Sequence, residues 1–266
     1  MKQLILSHLS AECPWRDTLH WFDSIDSTNN EAKRMARQGA PHGTLLIAGT
    51  QTAGRGRMGR SFSSPNGMGI YLSVILRPGC GPETLMHLTC AAAVAMCQAV
   101  ENVAHFRPGI KWTNDLVFGK KKLGGILTEL SVDPGSGLID YAVIGVGINC
   151  LQLPDDFPAE LQNTAASLRM VSGTAISPAL LAAAMADSLA AMSERLLCEK
   201  EQIMDTYRAD CVTLGQDVVV LRGESRRYGT ALDLDADGGL LVRFMDGQTQ
   251  IVSSGEVSIR GMYGYL

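Results

Sequence analysis

The sequence has 266 residues, of which 46% are apolar and 19% charged, with a formal charge of −4. This is a globular composition with room for one large and one small domain, and its acidity argues against broad nucleic-acid binding, which needs a basic face. No apolar run reaches the roughly 18 residues of a bilayer span, the N-terminal MKQLILSHLSAECPW has one lysine and too short an apolar stretch for a secretory signal, and seven scattered cysteines without a C-x-x-C pair argue against a disulfide framework or zinc site, so the expectation is a cytoplasmic protein without membrane or DNA partners.

From Trp21 to about Asp210, strand-like and helix-like segments alternate; from about Gly215 onward only short strands and turns remain. Thr28 and Glu31 have the S/T-x-x-E spacing of a capping box, and Gly39 stands where a C-terminal cap belongs, so a helix is expected between them. Residues 45–51 and 70–76 read as buried strands, 84–103 as a helix deep in the core. Ser177 and Pro178 open a long helix whose Leu, Met and Ala stripe is core packing. In the tail, DVVVL, RYGTALDLDADGGLLVRFM with its Asp237-Gly238 turn, and QTQIVSS predict hairpins closing into a small barrel.

Between the first two strands lies GTQTAGRGRMGRSF, residues 49–62, whose GRGRMG matches the G-x-G-x-x-G of dinucleotide-binding turns. That fingerprint needs a helix after the turn and an acidic residue about 20 positions on. Instead Ser64-Pro65 and Asn66-Gly67 lead into another strand, and no acidic residue follows around ILRPGCG. The loop's chemistry is nevertheless clear. Gly54, Gly56 and Gly59 allow close backbone approach, and Arg55, Arg57 and Arg60 supply always-ionised forks for carboxylate and phosphate oxygens. An anion-binding loop, a solvated turn and an RGG-like nucleic-acid contact all fit these residues.

In KWTNDLVFGKKKLGGILTEL (111–130), Lys111, Asn114 and Asp115 stand among apolar residues, and Lys122 precedes a strand with Gly124 and Gly125. Buried charges need partners, so these residues either face one another or a charged ligand, or else form an ordinary turn and a solvated KKK tip. YAVIGVGINC (141–150) is a buried strand whose Gly145 and Gly147 bare the backbone just before Asn149.

Taken in order, DSTN (26–29), GTQTAGRGRMGRSF, KWTNDL, KLGGIL and VIGVGIN, followed by a β tail with SGEVSIR (254–260), resemble the biotin protein ligase family, also called biotin–[acetyl-CoA-carboxylase] ligases. The resemblance implies an α+β fold: a mixed-sheet, class II synthetase-like catalytic domain over residues 1–212 and an SH3-like C-terminal barrel over 213–266. It also implies ATP and Mg²⁺ as co-substrate and ion, biotin as substrate, and a biotin carboxyl carrier protein as partner of a monomer or homodimer. No helix-turn-helix segment precedes the motifs, so the expected type is the ligase alone.

By resemblance, Lys122 bridges the biotin carboxylate and the α-phosphate, Arg57 holds the reacting groups, and Asp115 orients the acceptor lysine or takes its proton. Ser27, Thr28, Gln51, Gly54, Arg55, Gly125, Gly145 and Gly147 are expected around biotin. Arg60, Phe62, Lys111, Asn114 and Asn149 are expected around ATP, together with Arg57, and no protein-held metal is expected. Two positions depart from the family pattern: Thr113, where proline is usual, and Phe62, where tryptophan is common. A lipoate or octanoate ligase or transferase is the alternative within the related fold, and a non-enzymatic nucleic-acid-binding module is the alternative outside it.

Overall fold

In the computed structural model, which describes residues 1–253 and 258–261, α1 (Lys2–His8) precedes β1 (Leu19–Phe22), α2 (Thr28–Arg37), β2 (Thr44–Ala48), β3 (Gly69–Leu76) and α3 (Leu88–Ala104). Four strands follow, β4 (Gly109–Lys111), β5 (Asp115–Phe118), β6 (Lys121–Val132) and β7 (Ile139–Asn149), then α4 (Leu168–Ser172), α5 (Pro178–Arg195) and α6 (Lys200–Asp210). The chain ends in β8 (Asp217–Arg222), β9 (Ser225–Leu234), β10 (Leu240–Phe244), β11 (Thr249–Val252) and β12 (Ser258–Gly261). Residues 254–257 of the SGEVSIR motif lie outside the described residues.

β1 to β7 form a sheet in the order β1-β2-β3-β7-β6-β5-β4. It is mixed because β1 pairs parallel to β2, whereas the other neighbours run antiparallel. β2 and β3 are buried at every position, since both faces of the sheet are covered. Leu45, Ile47, Leu72 and Val74 point into the large core that includes α3 and α5. Leu46 and Ile75 join Tyr141 and Val143 under Ala32 and Ala36 of α2 on the opposite face.

The α2 sequence is amphipathic, and its end is set by Gly39 at φ +88°. The Gly39 N–H bonds to the Ala36 carbonyl and the Ala40 N–H to that of Met35, the two bonds of a Schellman cap. The expected capping box does not form. Ser27 is the N-cap and makes no side-chain cap bond; Thr28 instead donates from its backbone N–H (2.8 Å) and hydroxyl (3.1 Å) to Gln51 Oε1. Glu31 turns away to Arg34 at 2.6 Å. Polar groups beyond the helix thus compete successfully for its first turn.

Ser177 caps α5 by accepting from the Leu180 N–H, with Pro178 at the first helical position as expected. The segment Pro82–Ala104 is in fact long and apolar enough by composition to span a bilayer, contrary to the reading of the sequence. The fold packs α3 against α5 and α6 inside the core.

The tail strands form an antiparallel sheet in the order β11-β10-β9-β8-β12. Among the described residues this sheet is open, with no ladder joining β11 to β12, rather than a closed barrel. Its apolar face, including Val218, Val220, Ala231, Leu240, Val242 and Phe244, is continuous with the main core. Trp112 Nε1 donates to the Gly238 carbonyl at 2.8 Å across this junction. The sheet therefore buries its apolar face against its neighbour and needs no closure for that purpose.

Candidate active site

The face of the main sheet that carries α2 is only half covered by it. Tyr141 and Val143 lie under the helix, and alternation along β7 puts Gly145, Gly147 and Asn149 on the same face beyond the helix N-terminus. β6 pairs Gly125 with Gly147 and Leu127 with Gly145. These small residues floor a cavity of about 610 Å³, walled by the arginine loop, the start of α2, the β4–β5 turn and the segment after β7.

Of the residues expected at the site, Gly54 alone does not line this cavity. It is a packing glycine: a Cβ there would stand 2.5 Å from the Phe62 carbonyl oxygen and 2.7 Å from Ser64 Oγ. Its carbonyl accepts the Phe62 N–H at 2.9 Å, closing the base of the loop. The other fifteen surround the cavity. They are Ser27, Thr28, Gln51, Arg55, Arg57, Arg60, Phe62, Lys111, Asn114, Asp115, Lys122, Gly125, Gly145, Gly147 and Asn149.

The glycines are there for side chains as much as for a ligand. A Cβ on Gly145 would meet Asn29 Oδ1 at 1.8 Å, and one on Gly147 would meet the Phe62 ring at 2.6 Å. One on Gly125 would lie 3.0 Å from Lys122 Nζ. Three glycines thus admit an amide, an aromatic ring and an ammonium onto one sheet face. Gly145 and Asn149 are four residues apart, so the cavity floor runs about 13 Å along β7.

At the Gly145 end the groups are neutral or paired. Ser73 Oγ donates to Asn29 Oδ1 (2.7 Å) and is also within hydrogen-bond distance of Thr28 Oγ1 (2.8 Å). The Asn29 amide donates to Glu129 Oε2 at 2.9 Å and to the Leu127 carbonyl at 3.2 Å. Glu129 also accepts from Lys33 (2.7 Å) and Arg55 (3.2 Å). Burial opposes ionisation of Glu129, but the bonds from Lys33 and Asn29 outweigh it and hold its carboxyl below the usual range.

In the middle, Lys122 Nζ lies 2.5 Å from Asp115 Oδ1, set by the β5–β6 pairing of Asp115 with Gly125. Arg57 donates to Asn114 Oδ1 at 2.9 Å. Burial pushes its guanidinium below the ordinary value while the Asp115 carboxylate supports the charge. Asn114 is held in turn by its amide bond to the Ile126 carbonyl, 2.9 Å. Lys111 is 7% exposed and pairs in register with Asp115. Lys122 and Arg57 thus converge on one carboxylate, with Lys111 on the neighbouring strand, an arrangement suited to bringing two anions together.

The loop itself is ordered as a narrow hairpin. Arg55 bridges Ser61, Gly56 N–H bonds to the Arg60 carbonyl at 2.7 Å, and a 3-10 turn spans Arg57–Gly59. Met58 at its tip adopts φ +54° and is 56% exposed. Arg55 clasps the loop to α2 through Asn30 Oδ1 (2.9 Å) as well as to Glu129. No helix opens from this loop, as the reading against a dinucleotide-binding turn requires.

At the Asn149 end, Phe62 packs edge-on to Tyr71, ring centres 6.4 Å apart. Asn149 is 6% exposed and donates to the Ala166 carbonyl at 3.0 Å. The segment after β7 closes this end: Gln152, Asp156, Phe157, Leu161, Thr164 and Ala165 all line the cavity, and the Lys122 N–H bonds to the Thr164 carbonyl at 2.7 Å. The peptide bond preceding Thr113 is cis; the Thr113 carbonyl accepts the Tyr207 hydroxyl at 3.0 Å.

Asn29, Glu129 and Gln152 were not singled out from the sequence. Glu129 carried a usable signal, because alternation along KLGGILTEL puts it on the face of Gly125 and Leu127. Asn29 stood in the DSTN motif, and only the contact with Gly145 shows its role.

Two family models match the chain: the biotin/lipoate A/B protein ligase family over residues 21–149, and the biotin protein ligase C-terminal domain over 213–260. The chain is 35% identical to the bifunctional ligase/repressor BirA of Bacillus spizizenii, over 89% of this chain and 72% of that protein. It is 34% identical to the biotin–[acetyl-CoA-carboxylase] ligase of Mycobacterium tuberculosis, over 94% and 91%. The solved Aquifex aeolicus biotin protein ligase in complex with biotin and ATP is 28% identical and superposes with a TM-score of 0.77, covering 91% of this chain and 98% of that one. With its ordered motifs gathered around one cavity and relatives of this identity matched along most of their length, the chain belongs to the biotin protein ligase family.

Proposed function

We propose that this protein is an ATP-dependent biotin protein ligase that forms biotinyl-5′-AMP and then transfers the biotinyl group to a lysine of a biotin carboxyl carrier protein. The observation that carries this reading is the placement of Lys122, Asp115 and Arg57 midway along a 610 Å³ cavity whose two ends differ. One end offers the hydroxyls and amides of Ser27, Thr28 and Gln51, suited to a ureido ring; the other offers Phe62 and Asn149, suited to a purine. Biotin and ATP then meet head to head beside Lys122.

In the first step a biotin carboxylate oxygen attacks the α-phosphorus and pyrophosphate departs. In the second, the acceptor amine attacks the acyl carbon, loses a proton, and AMP leaves. The first step brings two anions together, and its transition state gathers charge at phosphorus. Lys122 lies between the two ends and offsets that repulsion; Asp115 holds its ammonium in place and stands where it can orient the incoming amine. Arg57 and Lys111 face the reacting centre, and Arg60 the triphosphate. Ser27, Thr28, Gln51, Arg55, Gly125, Gly145 and Gly147 form the biotin end, with Gly54 serving the loop's base. Phe62, Asn114 and Asn149 serve the nucleotide end. Mg²⁺ accompanying ATP would supply positive charge against the triphosphate, beside that of Arg60.

The arginine loop is the lid, clasped by Arg55 to Glu129 and by Arg57 to Asn114. Order there protects a hydrolysable acyl-adenylate from water between the half-reactions. The work is divided between a catalytic unit of residues 1–212 and a C-terminal unit of 213–266, in a cytoplasmic protein whose seven cysteines are free thiols. Incubating the protein with biotin, MgATP and a purified apo carrier domain tests the reading. The expected result is a carrier mass increased by one biotinyl group on one lysine, and an unmodified carrier would refute it.

A further inference from the structure

Gln152 is 1% exposed and lines the nucleotide end of the cavity, yet no hydrogen-bond donor among the described residues reaches its Oε1. Its amide orientation is fixed by a relay. The Ala166 carbonyl takes the Asn149 Nδ2 at 3.0 Å, which leaves Asn149 Oδ1 to accept Gln152 Nε2 at 3.4 Å. Turning the Gln152 amide over would set two acceptor oxygens against each other, so Oε1 must be the atom left over. A buried acceptor without a donor is costly and rare in a folded protein.

A second relay fixes the backbone here: Ser167 Oγ donates to the Gln152 carbonyl at 2.6 Å. The backbone and the Nε2 end of the side chain are thus both engaged by bonds that do not use Oε1. Gln152 stands three residues past Asn149, at the opposite end of the β7 floor from Ser73 and Asn29. Phe62, over Gly147, and Phe157 both line the cavity.

We infer that Gln152 is a base-specificity residue, its Oε1 accepting a hydrogen bond from the exocyclic amine of a 6-aminopurine nucleotide. The inference rests on the proposed function for the site's orientation and goes beyond it in naming how the base is chosen. A 6-oxopurine presents a carbonyl at the same place, and two buried acceptors then face each other. Discrimination by such a site exceeds what the bond alone supplies, because the wrong base leaves both acceptors unsatisfied.

The test compares biotin-dependent pyrophosphate release from ATP, inosine triphosphate and purine riboside triphosphate in the wild type and in Gln152→Met, which keeps the length and removes the acceptor. In the wild type, kcat/KM is expected to fall roughly 10-fold to 100-fold for purine riboside triphosphate and further for inosine triphosphate. In Gln152→Met the preference for ATP over inosine triphosphate shrinks at least about 10-fold, mainly through loss with ATP, while the KM for biotin is unchanged. If Gln152 served only to brace Asn149, the variant would lose activity equally with all three nucleotides and keep the ratio, which would overturn the inference. So would a wild type indifferent to the 6-amino group, a result that needs no variant to fold. Absence of biotin-dependent pyrophosphate release from every nucleotide would overturn the proposed function and this assignment with it, whereas release with an unchanged ratio overturns this assignment alone.

Discussion

Replacing Gly145 with alanine puts a methyl carbon 1.8 Å from Asn29 Oδ1 and 2.6 Å from its Cγ, with the β3–β7 ladder fixing the backbone beneath it. The amide must leave its place. It then gives up a 2.9 Å bond to the Glu129 carboxylate, a 3.2 Å bond to the Leu127 carbonyl and the 2.7 Å bond from Ser73. One bond to a charged group and two neutral ones are together worth about 3–5 kcal/mol, of which rotation of the side chain recovers part. The expected loss of stability is about 3 kcal/mol, or about 6–12 °C in Tm for a chain of this size. The assay is a double-mutant cycle with Asn29→Ala, followed by thermal and urea unfolding. Once the amide is gone the methyl has room, and alanine in a strand interior is intrinsically no worse than glycine. Gly145→Ala in the Asn29→Ala background is therefore expected to cost less than about 1 kcal/mol, giving a coupling of about 2 kcal/mol or more. Additive effects would refute the claim that Gly145 is glycine on account of Asn29.

Further outcomes follow from the central cluster and the lid. Lys122→Met is expected to slow adenylate formation roughly 10²–10³-fold while biotin affinity, measured by calorimetry, changes far less; unchanged pyrophosphate release would refute the role given to Lys122. Arg57→Ala is expected to release biotinyl-adenylate roughly 10-fold to 100-fold faster, since the proposed role gives Arg57 a charge-assisted contact to the intermediate; retention as long as in the wild type would show that the loop is no lid. Because Glu129 has a depressed folded-state pKa, its contribution to stability is complete above its ordinary value of 4.5 and is lost as pH falls through the depressed one. Glu129→Gln should therefore flatten the acid limb of the stability profile and make the loop a readier target for limited proteolysis, and an unaltered acid limb would contradict the ion-pair assignment. Asp26, brought down to about 2 by its bonds from Arg34, also contributes to the acid limb and should be unaffected by that substitution.

What could be read from the sequence was chemistry that shows in residue type. Three arginines among glycines, and Lys122 beside Asp115 among apolar residues, cannot be packing alone, and the structure brings both stretches to one cavity. Ser177-Pro178 announced its helix because capping is local, settled within four residues. The box at Thr28 misled for the converse reason: a distant residue, Gln51, outcompetes the local cap. Gly145 and Gly147 looked like bare backbone, yet the Asn29 amide and the Phe62 ring occupy the space; spacing along one strand says nothing about what another strand or helix lays over it. The barrel expectation came from hairpin signals, which fix neighbouring strand pairs and leave closure to how the apolar face is covered. Gln152 was invisible because an unsatisfied atom is a property of the folded surroundings.

The most direct measurement is exchange of labelled pyrophosphate into ATP by the purified protein with Mg²⁺, in the presence of biotin, lipoate or octanoate. Exchange that depends on biotin and is absent with the other two acids is the predicted result, because it isolates formation of biotinyl-5′-AMP at the Lys122 centre without any carrier. Exchange with lipoate in place of biotin would contradict the account and move the protein to the other acyl group its family model covers, and no exchange with any acid from folded protein would contradict the adenylating site itself.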